Sequence, residues 1–140
     1  MDIDLEKFRF TESKKIAIDA SQRAKCHISG YHVGAVLLST DGYFYEGFNI
    51  EFDNFSNTLH AEESAIVNYM IHGASKKIDK VFIYTRDVGF PCGMCRQSLF
   101  ELFGGDLEVI CFNDTKEKRA LMRDILPYGF RLERPEIKKA

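Results

Sequence analysis

The chain has 140 residues, 45% of them hydrophobic and 29% charged, and these values predict one domain, residues 1–140, with its own apolar core. The net charge of −2 is close to balance and excludes strong electrostatic attraction to nucleic acids or anionic membranes. No apolar run has the length of a membrane span, and the acidic N-terminus does not resemble a signal peptide. We therefore expect a cytoplasmic protein, with the basic C-terminal tail, residues 131–139, exposed to solvent.

The first half of the chain predicts a helix followed by a β-hairpin. The helix covers about residues 11–26, and its apolar face contains Ile16, Ala17, Ala20 and Ala24. The continuous apolar run at 33–38 predicts a buried strand. Asp41-Gly42 is a hairpin turn signal, and residues 43–50 form the expected return strand.

The second half alternates helices with strands. Residues 60–72 predict a helix whose inner side contains Ala61, Ala65, Ile66, Tyr69 and Met70. A strand at 81–84, a helix at 92–103 that follows Pro91, a strand at 107–112 and a helix at 115–125 complete the prediction. This order predicts an α/β sandwich with a mixed sheet.

Two of the four cysteines form a close pair. Cys26 lies in a helical pattern and Cys111 in an apolar run, so both are predicted to be ordinary buried thiols. Cys92 and Cys95 have C-x-x-C spacing, which in a reducing compartment indicates a metal or redox site rather than a disulfide.

Three features converge on one predicted site. His60-Ala61-Glu62 begins one predicted helix, Pro91-Cys92-Gly93-Met94-Cys95 begins the next, and the strand at 81–84 lies between them. H-x-E together with P-C-x-x-C is the sequence pattern of zinc-dependent deaminases. Each part alone has a simpler explanation, such as helix capping for His60 or a helix-dipole interaction for Glu62.

The residue types explain the predicted chemistry. One imidazole and two thiolates suit tetrahedral zinc, and the absence of a fourth ligand at a plausible spacing predicts a position open to water. The N-termini of both helices are expected to favour the thiolate forms of Cys92 and Cys95. Zinc lowers the pKa of bound water to roughly 7, which supplies hydroxide for attack on a substrate. Glu62 lies too close to His60 to be a co-ligand, so we expect it to move protons between water, a ring nitrogen and the departing amine.

Most of the chain resembles the cytidine deaminase family. The resemblance rests on five motifs in order: Tyr31-His32-Val33-Gly34-Ala35, Gly47-Phe48-Asn49-Ile50-Glu51, His60-Ala61-Glu62, Pro91 through Gln97, and Leu126-Pro127-Tyr128-Gly129-Phe130. It implies a three-layer α/β/α sandwich with a mixed sheet of about five strands and one Zn²⁺ per subunit. The implied reaction is deamination of cytidine and deoxycytidine in pyrimidine salvage. The implied assembly is a homotetramer, with a homodimer as the other possibility.

The resemblance also implies roles for individual residues. Asn49 and Glu51 would bind the ribose, and Tyr31, where phenylalanine is usual, would lie beside the pyrimidine. The backbone N–H of Ala61 would meet the polar edge of the base, and Phe130 would reach a neighbouring subunit's site. Without the resemblance, Asn49 and Glu51 would be predicted to form the polar end of a strand. Tyr31 and Phe130 would be predicted to be core aromatic residues.

The sequence departs from the family pattern in a consistent way. Short members usually have cysteine and arginine where this chain has His60 and Glu63. A neutral histidine makes the charge of the zinc and its ligands zero, so a compensating arginine is no longer required. Phe55 also stands where tyrosine is common near the ribose.

Other functions remain open at this point. A blasticidin S type of deaminase has the same cysteine motif but generally lacks the N-x-E element that Asn49 and Glu51 supply. Deoxycytidylate and tRNA-adenosine deaminases usually have alanine after the second cysteine, where Arg96 stands here. A non-enzymatic zinc module would require a fourth protein ligand, and a redox role for Cys92 and Cys95 would leave His60 and Glu62 unexplained.

Overall fold

Five strands form one mixed sheet, and helices cover both of its faces. The computed structural model describes residues 4–132; the three residues before this range and most of the charged tail after it, residues 133–140, lie outside the description. The elements are α1 (Leu5–Gln22), β1 (Gly34–Ser39), β2 (Phe44–Phe48), a short 3-10 helix (Phe55–Asn57), α2 (Ala61–His72), β3 (Ile78–Tyr84), α3 (Gly93–Phe103), β4 (Glu108–Phe112), β5 (Glu117–Leu121) and α4 (Met122–Ile125).

The strand order in the sheet is β2-β1-β3-β4-β5. The β1–β2 hairpin and the β1–β3 pair are antiparallel, with Leu37 opposite both Tyr45 and Val81. β3 and β4 are parallel, since α3 crosses over between them, and β5 returns antiparallel to β4. The mixed sheet predicted from the sequence is confirmed.

The apolar residues of β1 alternate between two cores. Val36 and Leu38 pack under α1, in a cluster that also contains Ala17, Phe82, Ile110 and Phe112. Ala35 and Leu37 face the other way, in a cluster that contains Ala65 of α2 and Leu99 of α3. Because both faces of the sheet are covered, the architecture is the expected three-layer α/β/α sandwich.

The boundaries of α1 differ from the prediction. The helix begins at Leu5, six residues earlier than expected, because Asp4 caps it by accepting a hydrogen bond from the Lys7 N–H at 3.1 Å. It ends at Gln22, so Cys26 lies beyond it, although Cys26 is buried as expected. In α2, Met70 is 47% exposed rather than on the inner side.

The predicted helix at 115–125 is wrong. Residues 117–121 form the edge strand β5, and only Met122–Ile125 is helical. The Asn113 side chain accepts hydrogen bonds from the N–H groups of Thr115 and Lys116, which folds the chain back onto β4. Pairing with β4 therefore overrides the helical preference of Glu117, Lys118 and Arg119. The turn at Asn113 was the feature of the sequence that could have indicated a strand here.

No helix in the described range 4–132 has both the length and the apolar character needed to span a membrane.

Candidate active site

The side chains of His60, Cys92 and Cys95 meet where α2 and α3 begin. His60 is the N-cap residue of α2, Cys92 is the N-cap residue of α3, and Cys95 lies in the first turn of α3. The Nδ1 atom of His60 lies 3.5 Å from Cys92 Sγ and 3.3 Å from Cys95 Sγ. The two helix starts therefore come together as the sequence predicted.

These three side chains fit a zinc ion. Their ligand atoms all lie within 4.8 Å of one another, and within residues 4–132 this is the one such group of histidine, cysteine and acidic side chains. Zn–N and Zn–S bonds of standard length at a tetrahedral angle place nitrogen and sulfur about 3.6 Å apart. The two measured separations are close to this value, so the donor set and its spacing suit zinc with three protein ligands.

Glu62 is buried next to this cluster. Glu62 is only 6% exposed, and this burial raises the pKa of its carboxyl group. Burial and the neighbouring Glu62 carboxylate also raise the pKa of the Cys95 thiol. Both effects oppose the stabilisation of the Cys95 thiolate that we expect from the N-terminus of α3. A bound dication would supply the missing charge, because coordination deprotonates a thiol.

A cavity of about 290 Å³ opens beside the cluster. His60, Ala61, Glu62 and Cys92 are among the residues that line it, and no lysine or arginine is among the described residues of its wall. Its size is at the lower end of small-molecule sites. The cavity therefore suits a small ligand.

Asn49 and Glu51 line the same cavity, and each has partners within the chain. The Asn49 amide accepts from the Val33 N–H at 2.9 Å and donates to the Tyr31 carbonyl at 2.7 Å. One oxygen of Glu51 accepts from the N–H groups of residues 28 and 29, and the other accepts from Ser29 Oγ at 2.6 Å. These bonds from Ser29 hold the pKa of the Glu51 carboxyl below its ordinary value.

Tyr31 forms part of the cavity wall and is fixed by the loop between β3 and α3. Its hydroxyl donates to Asp87 Oδ1 at 2.5 Å, and the guanidinium carbon of Arg86 lies 5.1 Å from its ring centroid. Val88 follows with a φ of 58° and a buried side chain, which anchors the loop in the core. The same loop leads to Cys92, so one loop supports both the cavity wall at Tyr31 and a member of the His60-Cys92-Cys95 cluster.

Comparison with known proteins decides the family. The family model for the cytidine and deoxycytidylate deaminase zinc-binding region matches residues 11–111. The cytidine deaminase of Mycoplasma genitalium is 35% identical over 114 residues, which cover 79% of this chain and 86% of the relative. That of Mycoplasma pneumoniae is 36% identical over 107 residues, covering 74% and 80%. The chain belongs to the cytidine deaminase family.

The fold agrees with this membership. The crystal structure of cytidine deaminase from Burkholderia pseudomallei superposes with a TM-score of 0.80 at 27% identity, and the match covers 86% of this chain and 98% of that one. The chain is therefore a zinc-dependent enzyme of the cytidine deaminase family, with one zinc ion per subunit. The family predicted from the five motifs is confirmed.

Phe130 does not line this cavity in its own chain. Its residue is 63% exposed, and its backbone forms two hydrogen bonds with the Gln97 side chain, at 2.7 and 3.2 Å. Arg96 donates to the carbonyls of Pro91 and Ile125, so the two residues after Cys95 tie the C-terminal segment to α3. In this cytidine deaminase family member, Arg96 and Gln97 therefore link the segment around Pro91 and Cys92 to the segment that ends at Phe130.

Three supporting residues at this site were missed by sequence reasoning. They are Ser29, which holds Glu51, Asp87, which holds Tyr31, and Gln97, which holds Phe130. Each lies far along the chain from its partner, and no local pattern predicts the contact. Only Gln97 could have been singled out from the sequence, because it belongs to the family motif that follows the second cysteine.

Proposed function

We propose that this enzyme hydrolyses cytidine and deoxycytidine to uridine and deoxyuridine with release of ammonia, in pyrimidine salvage. The observation that carries the proposal is the cluster of three ligand atoms beside a cavity that Glu62 also lines. The relatives in Mycoplasma genitalium and Mycoplasma pneumoniae carry the name cytidine deaminase. A blasticidin S type of small-nucleoside deaminase is the alternative substrate class, and a non-enzymatic zinc module is disfavoured by the three-ligand set.

In this proposal, His60, Cys92 and Cys95 would hold the zinc ion, which would supply Lewis-acid activation of the water that attacks C4 of the base. Glu62 would take one proton from the attacking water and pass it to N3 of the pyrimidine. It would then move the second proton, from the hydroxyl group at C4, to the departing amine as the C4 carbonyl forms and the C–N bond breaks. Burial of Glu62 favours the protonated form of its carboxyl group, which makes the carboxylate a stronger proton acceptor. Such proton transfer typically contributes about 10²–10⁴-fold to the rate.

The cavity wall provides the proposed contacts to the nucleoside. Glu51 accepts from the ribose hydroxyl, with Asn49 beside it, and both residues line the cavity. Tyr31 lies along the pyrimidine. Ala61 is the first residue of α2, so its N–H has no partner inside the helix and is available to the base. With no lysine or arginine in the described wall, the uncharged nucleoside is preferred over its 5′-phosphate.

The proposed assembly is a homotetramer, with the homodimer as the other outcome. Its support is the apolar surface of α2, where Val67, Met70 and Ile71 are each about half exposed or more, together with the exposed ring of Phe130. Phe130 would then contact a site in a neighbouring subunit. We further propose a single catalytic domain, residues 1–140, in the cytoplasm. The four free cysteines support a reducing compartment.

A substrate panel scored for released ammonia tests the reaction. We expect turnover of cytidine and deoxycytidine and little or none of deoxycytidylate, blasticidin S or adenosine. Cytosine lacks the ribose and its contacts to Glu51, and hydrogen bonds to charged groups are worth about 1.5–3 kcal/mol, so its kcat/KM should fall roughly 10- to 100-fold or more. Preferential turnover of cytosine would refute the roles of Asn49 and Glu51. Preferential turnover of blasticidin S would establish the alternative.

A further inference from the structure

The backbone of His60 is fixed by two hydrogen bonds. Its N–H donates to Glu63 Oε1 at 3.1 Å, and its carbonyl accepts from the Ser64 N–H at 2.9 Å. The preceding residue, Leu59, forms a reciprocal backbone pair with Ile50, with both bonds at 2.9 Å. The carboxylate of Glu63 thus adds a side-chain contact to the backbone hydrogen bonds that hold the segment around His60 in place.

Glu63 occupies the position from which a glutamate caps its own helix. It is the third residue of α2, and its side chain reaches back to the backbone of the N-cap residue, which is the arrangement of a capping box. In most helices this bond stabilises only the helix start. Here the N-cap residue is also one of the three side chains that fit zinc, so the cap orients a ligand.

The other ligand-bearing helix has a comparable restraint. Arg96, in the first turn of α3, donates through Nε to the Pro91 carbonyl at 2.6 Å, next to Cys92. Each helix start that contributes to the cluster is therefore held by a side chain from its own first turn. Glu63 performs this task for α2.

We propose that Glu63 is a positioning residue for zinc binding, and that it acts on His60 through this capping hydrogen bond rather than through its charge. The inference rests on the proposed role of His60 as a zinc ligand. The carboxylate oxygen lies 3.9 Å from His60 Nδ1, so an effect of its charge is the competing explanation. A glutamine at position 63 separates the two, because its amide oxygen accepts the same hydrogen bond without the charge.

The test measures zinc affinity by competition with a fluorescent zinc chelator, in the absence of any substrate. Loss of a group that orients a metal ligand typically weakens binding about 10- to 100-fold. We expect Glu63→Ala to bind zinc at least about 10-fold more weakly than the native protein, and Glu63→Gln to stay within about twofold of it. Glu101→Ala is the matched control, since Glu101 lines the same surface groove as Glu63 but lies on α3, and its zinc affinity should not change.

Native zinc affinity in Glu63→Ala would overturn the inference, and so would an equal loss in Glu63→Gln, which would assign the effect to charge. Should Glu63→Ala fail to fold, as judged by circular dichroism, the glutamine variant still decides between the hydrogen bond and the charge. Because zinc binding is measured without substrate, a native protein that binds zinc but leaves cytidine intact would contradict the proposed function and not this inference.

Discussion

The carboxyl group of Glu62 shows how much a single position depends on its surroundings. As the second residue of α2 it would ordinarily be an exposed partner of the helix dipole. In this fold it is 6% exposed, and burial raises its pKa. A raised pKa makes the carboxylate a stronger proton acceptor, which suits the step of the proposed reaction in which Glu62 takes a proton from water.

We expect Glu62→Ala and the isosteric Glu62→Gln to retain bound zinc and to lose turnover by at least about 10²–10⁴-fold, because neither side chain can carry the proton. Metal analysis of the purified variants and ammonia release from cytidine measure the two quantities separately. A zinc-loaded Glu62→Ala protein with native turnover would remove Glu62 from the mechanism.

At the scale of elements, the position of α2 depends on a close approach to β2. A Cβ atom added at Gly47 would lie 2.2 Å from the backbone nitrogen of Ala65 and 2.4 Å from the carbonyl oxygen of Ala61. The glycine of the G-x-N-x-E motif therefore lets the helix that carries His60 and Glu62 rest directly on the strand.

Gly47→Ala must push α2 away from the sheet, because the conflicting atoms belong to the helix backbone. Overpacking of this kind typically costs about 1–3 kcal/mol, so we expect the free energy of unfolding to fall by about that amount. Zinc affinity should fall with it.

Urea unfolding with a chelator present measures the loss of stability. Gly93→Ala is the control, since a Cβ atom there meets nothing within 4 Å, and its stability should stay within about 0.5 kcal/mol of the native value. Equal stability of the Gly47→Ala protein would mean that α2 does not approach the strand this closely.

The sequence pattern did not predict the edge strand β5. Apolar runs and the Asp41-Gly42 turn signal predicted four of the five strands, because each of these strands has a partly or fully buried face. These signals failed at Glu117–Leu121, whose strand lies at the sheet edge and carries three exposed charged residues. An edge strand needs no apolar face, so pairing with β4 decided its structure.

At the scale of the whole molecule, an apolar surface remains on α2. Val67, Met70 and Ile71 are spaced three and four residues apart, so they share one side of the helix, and they are 49%, 47% and 70% exposed. The groove beside them continues to Leu102 of α3. A second copy of the chain is the proposed partner of this surface.

Light scattering should give a mass close to four times the 16.1 kDa of one chain. We expect the double substitution of Val67 and Ile71 by glutamate to reduce that mass to dimers or single chains, because buried unpaired charges oppose association. Phe8→Glu, on the exposed side of α1 and 54% exposed, is the control and should leave the mass unchanged. A native protein that runs as a single chain would contradict the assembly.

The order of most elements follows from the sequence alone, and so does the convergence of His60, Cys92 and Cys95 at two helix starts. The hydrophobic periods predicted the layers because burial is periodic in helices and strands. His60, Glu62, Cys92 and Cys95 could be proposed as site residues because they occur in two local motifs, each at the start of a helix. The five motifs were enough to predict the family.

Other contacts between distant segments could not be predicted from the sequence. Ser29 with Glu51, Asp87 with Tyr31 and Gln97 with Phe130 are pairs separated by 22, 56 and 33 positions. The burial that raises the pKa of Glu62 and Cys95 is likewise a property of packed layers. Local sequence patterns record the conformation of a segment, whereas hydrogen-bond partners and desolvation depend on what the rest of the fold brings next to it.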